Sequence, residues 1–589
     1  MTTGQQSPTE ADEAPYKWRW LAFAAILAAS IMNLLDAMIT NIAAPSIRAD
    51  IGGGLALIQW LGAGYTLALA AGLITGGRLG DIYGRKPVFL IGAVGFTVCS
   101  VLCAVSLSPG TLIAARIAQG LFGALLLPQG LGTIRSIFPP RELATAFGAY
   151  GPAMGLATVA APVVAGALIS GDLFGTGWRM VFLINVPVGL FVIVAGFRYI
   201  PGRQAPSAAG LDVPGALLAG AAALLMIYPV VQGRSLDWPA WCFLLMALSL
   251  VLFVVFAKVE NRIQARGGDP LVVPTLFRKR AFSGGLVTGL AVYTALTGFG
   301  LVFTLFLQLG LGFSPLKAGL SVLPQALGSV SGFVASGAGL TRKLGRRSLH
   351  LGTALMAVGA IGILLTVRGV GTDVSPWHTA PALAVYGAGL GLFLAPFFDI
   401  VLAGVESHEY GSASGTLTAI QQFGSALGVA VIGTVFFGIL GPQVNRATDT
   451  PDLRARLAAV QVTGAAQDRI VTGLAGCGHD RATATDPDAV PAGCVRLESD
   501  VKAAASMSGD PDGVAAAVRS GATDSFERGF DRTLRRTVRV VVGLLALGFV
   551  LAFLLPEHAR GHRPPTGGDG GDAGDGGEDE QPREEAALR

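Results

Sequence analysis

The sequence predicts an all-α polytopic membrane protein with fourteen transmembrane helices, and three observations carry that expectation. Of the 589 residues, 52% are hydrophobic and only 14% are charged, where soluble domains run near ~25% charged. The apolar residues gather into fourteen runs, each close to the ~20 residues that cross a bilayer as a helix. Glycine reaches 82 positions without a collagen-like period, a level that suits helices packed closely through small residues in lipid.

Taken in order, the first six runs are 19–47, 57–79, 87–107, 111–135, 143–169 and 179–199. Two more follow at 213–232 and 239–257. The last six are 282–309, 316–340, 348–368, 379–404, 412–440 and 537–555. The first run is too long for a cleaved signal peptide and carries an acid, Asp36.

Basic residues in short loops set the orientation. With the N-terminus inside, inner loops carry Arg85 and Lys86, Arg135 and Arg141, Arg198 and Arg203. They continue with Lys258, Arg262, Arg266, Arg278, Lys279 and Arg280, then Arg342, Lys343, Arg346 and Arg347. Short outer loops hold single charges such as Arg48, Arg179, Arg234, Lys317 and Arg368. An even number of spans then puts both termini in the cytoplasm. Arg535, Arg536 and Arg539 at the outer end of the last span run against the rule, which long loops largely escape.

The chain thus divides into a cytoplasmic tail (1–18), a block of six spans (19–200), two spans with their loops (201–281) and five more spans (282–440). An extracellular insert (441–536), the last span (537–556) and an acidic, Gly-rich tail (557–589), expected to be disordered, complete it. Inside the insert, Asp452–Leu474 places Leu453, Leu457, Val460, Ile470, Val471 and Leu474 on an amphipathic-helix pattern. Residues Thr523 to Arg536 are expected to run helically into the last span.

Several function classes are excluded. None of the seven lysines follows a glycine, so there is no Walker A phosphate loop. No HExxH pair and no strand followed by GxGxxG occurs. The sequence therefore implies no enzyme, no cofactor and no metal site. A net charge of +4 is too small and too scattered for nucleic acid. Energy for transport must come from an ion gradient or another subunit. Arginine outnumbers lysine 35 to 7, which suggests a GC-rich genome and says little about mechanism; the expected location is a bacterial plasma membrane. Cys99, Cys103 and Cys242 lie in apolar runs, where a thiol acts as a small hydrophobe. Cys477 and Cys494 fall in the outer, oxidising compartment and are expected to form a disulfide; with His479 they could also be read as metal ligands, but a fourth is lacking.

The loop after the second span reads Gly76-Gly77-Arg78-Leu79-Gly80-Asp81-Ile82-Tyr83-Gly84-Arg85-Lys86-Pro87. It resembles the signature between helices 2 and 3 of the major facilitator superfamily. Leu35-Asp36-Ala37-Met38-Ile39-Thr40-Asn41, Arg116-Ile117-Ala118-Gln119-Gly120, Trp178 to Pro187 and Leu211-Asp212-Val213-Pro214-Gly215 are similar to motifs of its fourteen-helix drug:proton antiporter branch. The resemblance implies two six-helix halves with two helices inserted between them. It covers 19–440 and the last span. The antiporter motif of the fifth helix departs from the family pattern, reading Ala161-Pro162-Val163-Val164-Ala165-Gly166. The corresponding loop of the second half, Leu340 to Arg347, lacks an acid equivalent to Asp81.

Ionisable residues inside a bilayer are costly and face the bundle interior. Asn33, Asp36 and Thr40 share one helical face, and Arg116 shares another with Gln119. The resemblance implies proton coupling by Asp36 and Arg116; a structural hydrogen bond or ion pair is the alternative. Asp399 is read as lying deep in the twelfth span among aromatics, a second protonation site or an ordinary polar contact. Gly77, Asp81, Gly84, Arg85, Lys86, Pro162 and Gly166 are candidates for gating, and Asn33, Gln119, Tyr65, Phe303, Phe393 and Phe397 for lining the substrate cavity. The expectation is a monomeric, proton-coupled efflux antiporter for lipophilic, cationic drugs. The alternatives are a dedicated exporter of one endogenous metabolite and a membrane sensor or scaffold that does not transport.

Overall fold

The computed structural model describes residues 16–557, except 173–174, 203–211, 237, 269, 372, 404, 406–408 and 484–489. The tail expected beyond 557 lies outside the described residues. Among those described, every regular element is helical, and fourteen helices are long and apolar enough to cross a membrane. The first six are α1 (Arg19–Ile51), α2 (Gly54–Tyr83), α3 (Arg85–Ala104), α4 (Pro109–Ile137), α5 (Pro140–Ser170) and α6 (Gly177–Tyr199). Then come α7 (Val213–Gln232) and α8 (Ala240–Ala265). The next five are α9 (Arg280–Gly310), α10 (Pro315–Leu340), α11 (Arg347–Val370), α12 (Pro376–Leu402) and α13 (Tyr410–Thr448). Short helices α14 (Pro451–Ala459), α15 (Gly464–Thr483) and α16 (Ala492–Met507) lead to α17 (Pro511–Leu551), the fourteenth span.

Local chemistry starts and stops these helices. Ser108 caps α4 in a reciprocal capping box with Thr111, ahead of a proline in the first turn. Asp212 caps α7 by accepting the Gly215 amide at 2.9 Å. Gly84 separates α2 from α3 at φ 89, a left-handed conformation that a side chain would resist.

The helices pack as a repeat. In the first half α2 lies on α4, α3 on α4, α1 on α5, and both α1 and α3 on α6. The same pairings recur eight helices later as α10–α12, α11–α12 and α9–α13, with α17 taking the sixth place against α9 and α11. The halves meet along α5–α10 and α2–α13. Backbones come very close there: a Cβ on Gly319 would strike the Pro162 carbonyl, and one on Gly166 the Pro315–Leu316 backbone. Gln308 adds a bond to the Ile42 carbonyl at 3.0 Å. All these contacts sit toward the end of the bundle that carries the insert, so that end is sealed.

The pair α7–α8 lies beside the α2–α13 seam. Tyr228 of α7 packs on Trp60 of α2 at 5.9 Å between ring centroids, and the Val230 carbonyl accepts a bond from Thr434 of α13 at 2.7 Å. Behind α7, α8 is tied through Ser249 to the Ala222 carbonyl and turns Phe243, Leu244 and Leu250 outward, as a lipid-facing helix should.

The insert corrects two expectations. The helix expected over 452–474 is broken, because Gln461 and Gly464 both adopt positive φ and end α14 before α15 begins. The helix that carries the last span begins earlier than the expected Thr523: α17 starts at Pro511, where Val514, Ala517 and Val518 pack into the insert's own core with Leu453, Leu457, Ile470 and Leu497. A disulfide joins Cys477 of α15 to Cys494 of α16, with Cα atoms 4.4 Å apart. Replacing both cysteines by serine should lower insert stability by about 3 kcal/mol, the chain-entropy value for a loop of this size. Limited proteolysis across denaturant should show earlier cleavage within 441–536 while the spans stay protected.

Candidate functional site

The polar centre of the first half is built on α1, α4 and α6. Asp36 of α1 and Arg116 of α4 form an ion pair whose side chains have no solvent exposure. Arg116 Nη1 donates to Asp36 Oδ2 and to Gln119 Oε1, the latter at 2.6 Å. Asp36 Oδ1 accepts from Gln119 Nε2 at 3.0 Å and from Asn185 Nδ2 of α6 at 2.7 Å. Gln119 also donates to Ser100 of α3 at 2.8 Å. Three helices therefore meet at one carboxylate, and α3 joins them through Gln119. A charge in hydrocarbon is tolerable only when paired and hydrogen-bonded, and this one is both.

Aromatic faces complete the enclosure. The Arg116 guanidinium lies 4.2 Å from the Tyr65 ring centroid and 5.7 Å from that of Phe182, a cation–π arrangement strengthened by desolvation. Tyr65 donates its hydroxyl to Asn33 Oδ1 at 2.9 Å. Arg116 Nη2 and Asn33 Nδ2 have no partner among the described residues. The centre thus keeps two donors in reserve beside a carboxylate already holding three.

Of the residues read from the sequence, Asn33, Asp36, Tyr65, Arg116 and Gln119 come together here. Tyr65, Asn33 and Gln119 serve the ion pair and present no open cavity wall, each being at most 5% exposed. Asn185 and Ser100 are members that the sequence reading missed. Asn185 lies inside the Trp178–Pro187 string as a lone amide in an apolar helix, and that is the signal that could have flagged it.

The other candidates lie elsewhere. Phe303 stacks on Phe299 at 5.6 Å, and Phe299 on Tyr386 at 4.5 Å; Phe393 stacks on Phe397 at 5.0 Å. All are sealed inside the second half, so in this conformation they pack the core and line no accessible cavity. Asp399 is not deep among aromatics. Its side chain is exposed, three residues before α12 ends, with neighbours Phe397 and Ile400 turned inward instead. The helical turn that buries 397 and 400 points 399 the other way.

At the α2–α3 turn, Arg85 donates to the Gly132 carbonyl of α4, and Lys86 sits over the Phe197 ring of α6 at 5.5 Å. Gln129 of α4 reaches back to the Gly76 carbonyl at 2.7 Å. Gly76 and Gly80 allow this close α2–α4 contact, since a Cβ on either would strike Ala124 or Gln129, whereas one on Gly77 would meet Pro128 only at 3.7 Å; Gly84 makes the turn beside it, and the Asp81 side chain lies outside the described residues. Pro162 and Gly166 belong to the seal at the insert end.

A Major Facilitator Superfamily model matches residues 26–429. A probable actinorhodin transporter of Streptomyces coelicolor is 46% identical over 94% of both chains. The puromycin resistance protein pur8 of Streptomyces alboniger is 35% identical, covering 72% of this chain and 83% of its own. A tetracenomycin C resistance and export protein of Streptomyces glaucescens is 32% identical, over 72% and 77%. A solved bacterial homolog of the human lysosomal transporter Spinster, inward-facing and unoccupied, aligns with a TM-score of 0.54 over 91% of this chain and 98% of that one; at 16% identity the likeness is one of fold.

Arg116→Ala should cost about 3–5 kcal/mol, since it strands a buried carboxylate. Pairing it with Asp36→Ala should recover most of that loss in thermal-unfolding measurements on purified protein. Equal destabilisation by the single and double variants would mean the two charges do not act as a pair.

Proposed function

This chain belongs to the Major Facilitator Superfamily and is an efflux transporter of the cell membrane, and from that premise we propose that it exports bulky lipophilic antibiotics in exchange for protons. The observation that carries the coupling is the enclosed Asp36–Arg116 pair. Asp36 is the proton carrier and Arg116 its counter-charge. Protonation neutralises the carboxylate and weakens its hold on Arg116, Gln119 and Asn185, which ties α1, α4 and α6 less tightly to one another. With both termini on the cytoplasmic side, as the basic loops favour, the sealed end faces out and this conformation offers its binding face inward. One proton moving in across a 100 mV potential supplies about 2.3 kcal/mol.

The two charges of the pair cancel, so a cationic substrate would have to displace Arg116 to use Asp36. We therefore take lipophilic bulk, and not positive charge, as the property that selects substrate. A single chain holds both halves and the whole network, which supports a monomeric working unit. A second reading is favoured by one finding: likeness to the probable actinorhodin transporter extends over 94% of both chains, against 72% of this one for the next two relatives. On that reading the protein is dedicated to a single endogenous compound.

In an efflux-deficient host, wild type should raise resistance to a set of lipophilic antibiotics, and Asp36→Asn should return it to the vector level while folding normally. Resistance to one compound only would select the dedicated reading. Proteoliposome transport that continues unchanged without a pH gradient, or an active Asp36→Asn variant, would refute proton coupling.

A further inference from the structure

A second buried acidic pair lies outside the first half. Asp212, at the cap of α7, is 8% exposed, and Glu260, on α8, is 2% exposed. One oxygen of each has a clear partner: Asp212 Oδ1 accepts the Gly215 amide, and Glu260 Oε2 accepts the Val272 amide at 3.0 Å. The remaining oxygens, Asp212 Oδ2 and Glu260 Oε1, have no donor among the described residues. Both crowd the same point, because a Cβ added to Gly215 would collide with each. Only glycine leaves room for the two carboxyl groups to meet.

Among the described residues no cation neutralises them. Lys258 and Arg262 of α8 are exposed and turned away. Arg78 of α2 is bound to the Pro270 carbonyl at 3.0 Å, and Lys279 to Glu409 of α13 at 2.6 Å. Two facing carboxylates shut away from water cannot both remain ionised; a proton between the open oxygens satisfies both.

What the pair holds is the segment 270–279, which leads into α9. Glu260 pins it at Val272; Arg78, beside the signature turn of the first half, holds Pro270; and α13 of the second half holds Val273 through Ser412 and Thr275 through Glu409. This segment is a strap between the two halves at the end that carries the termini. We propose that Asp212 and Glu260 form a second proton-binding site, which anchors the strap when occupied by one proton and loosens it when the proton leaves.

The test uses the full chain in lipid nanodiscs, spin-labelled through Tyr83→Cys on α2 and Phe277→Cys on the strap, both exposed positions. The label-to-label distance in wild type should broaden and lengthen as pH rises. Glu260→Gln, which retains an acceptor for Val272, and Asp212→Asn, which retains a cap, should each hold the acid-state distance at every pH. Either variant suffices if the other does not fold. A wild type without pH response, variants that respond as wild type does, or a response that follows sodium at fixed pH would each overturn the proposal. No substrate is needed, so its failure leaves the exporter reading intact.

Discussion

A carboxylate and a guanidinium held together without water impose conditions on everything around them. In a medium of low dielectric each charge is tolerable only beside the other, and each leftover lone pair or N–H seeks a partner. Asp36 and Arg116 meet those conditions by recruiting Gln119, Asn185 and Ser100, and by lying under Tyr65 and Phe182. That recruitment fixes how α1, α3, α4 and α6 face one another, and so shapes the first half. Among the described residues the second half holds no ion pair with both side chains fully buried; there the stacked rings of Phe299, Phe303, Tyr386, Phe393 and Phe397 fill the core. One half is organised by charge and the other by aromatic packing.

Much of this was legible in the sequence, for a simple reason. A bilayer demands about twenty apolar residues per crossing, and that demand is visible in any chain that meets it. All fourteen crossings were found, and Asp36, Arg116 and Gln119 stood out because charge and amide are rare in such runs. The failures have equally physical causes. Asp399 was placed by its sequence neighbours, but a shift of one residue turns a helical side chain through about 100°, from the core to an exposed face. The aromatics were read as cavity walls because composition cannot separate a ring facing a void from one facing another ring. Asn185 is uncharged and drew no attention, although a buried amide needs partners as surely as a charge does. In the insert, the break begins at Gln461, a left-handed residue that carries no glycine signal, ahead of Gly464.

The inserted pair α7–α8 has a part in the architecture that the repeat alone does not require. Its inner helix covers the seam between α2 and α13, where the halves must slide past each other, and its outer helix faces lipid. Its exit segment is bound to both halves at once. The pair is therefore placed to feel relative motion of the halves, at the seam and at the strap.

The lengths of α13 and α17 have a consequence of a different kind. At 39 and 41 residues they run about 58 and 62 Å at ~1.5 Å per residue, roughly twice the ~30 Å hydrocarbon core. Both belong to the second half, and the insert packs on them. The insert is thus the protruding handle of one moving body. Any rocking of that body is magnified at its tip, outside the hydrocarbon core.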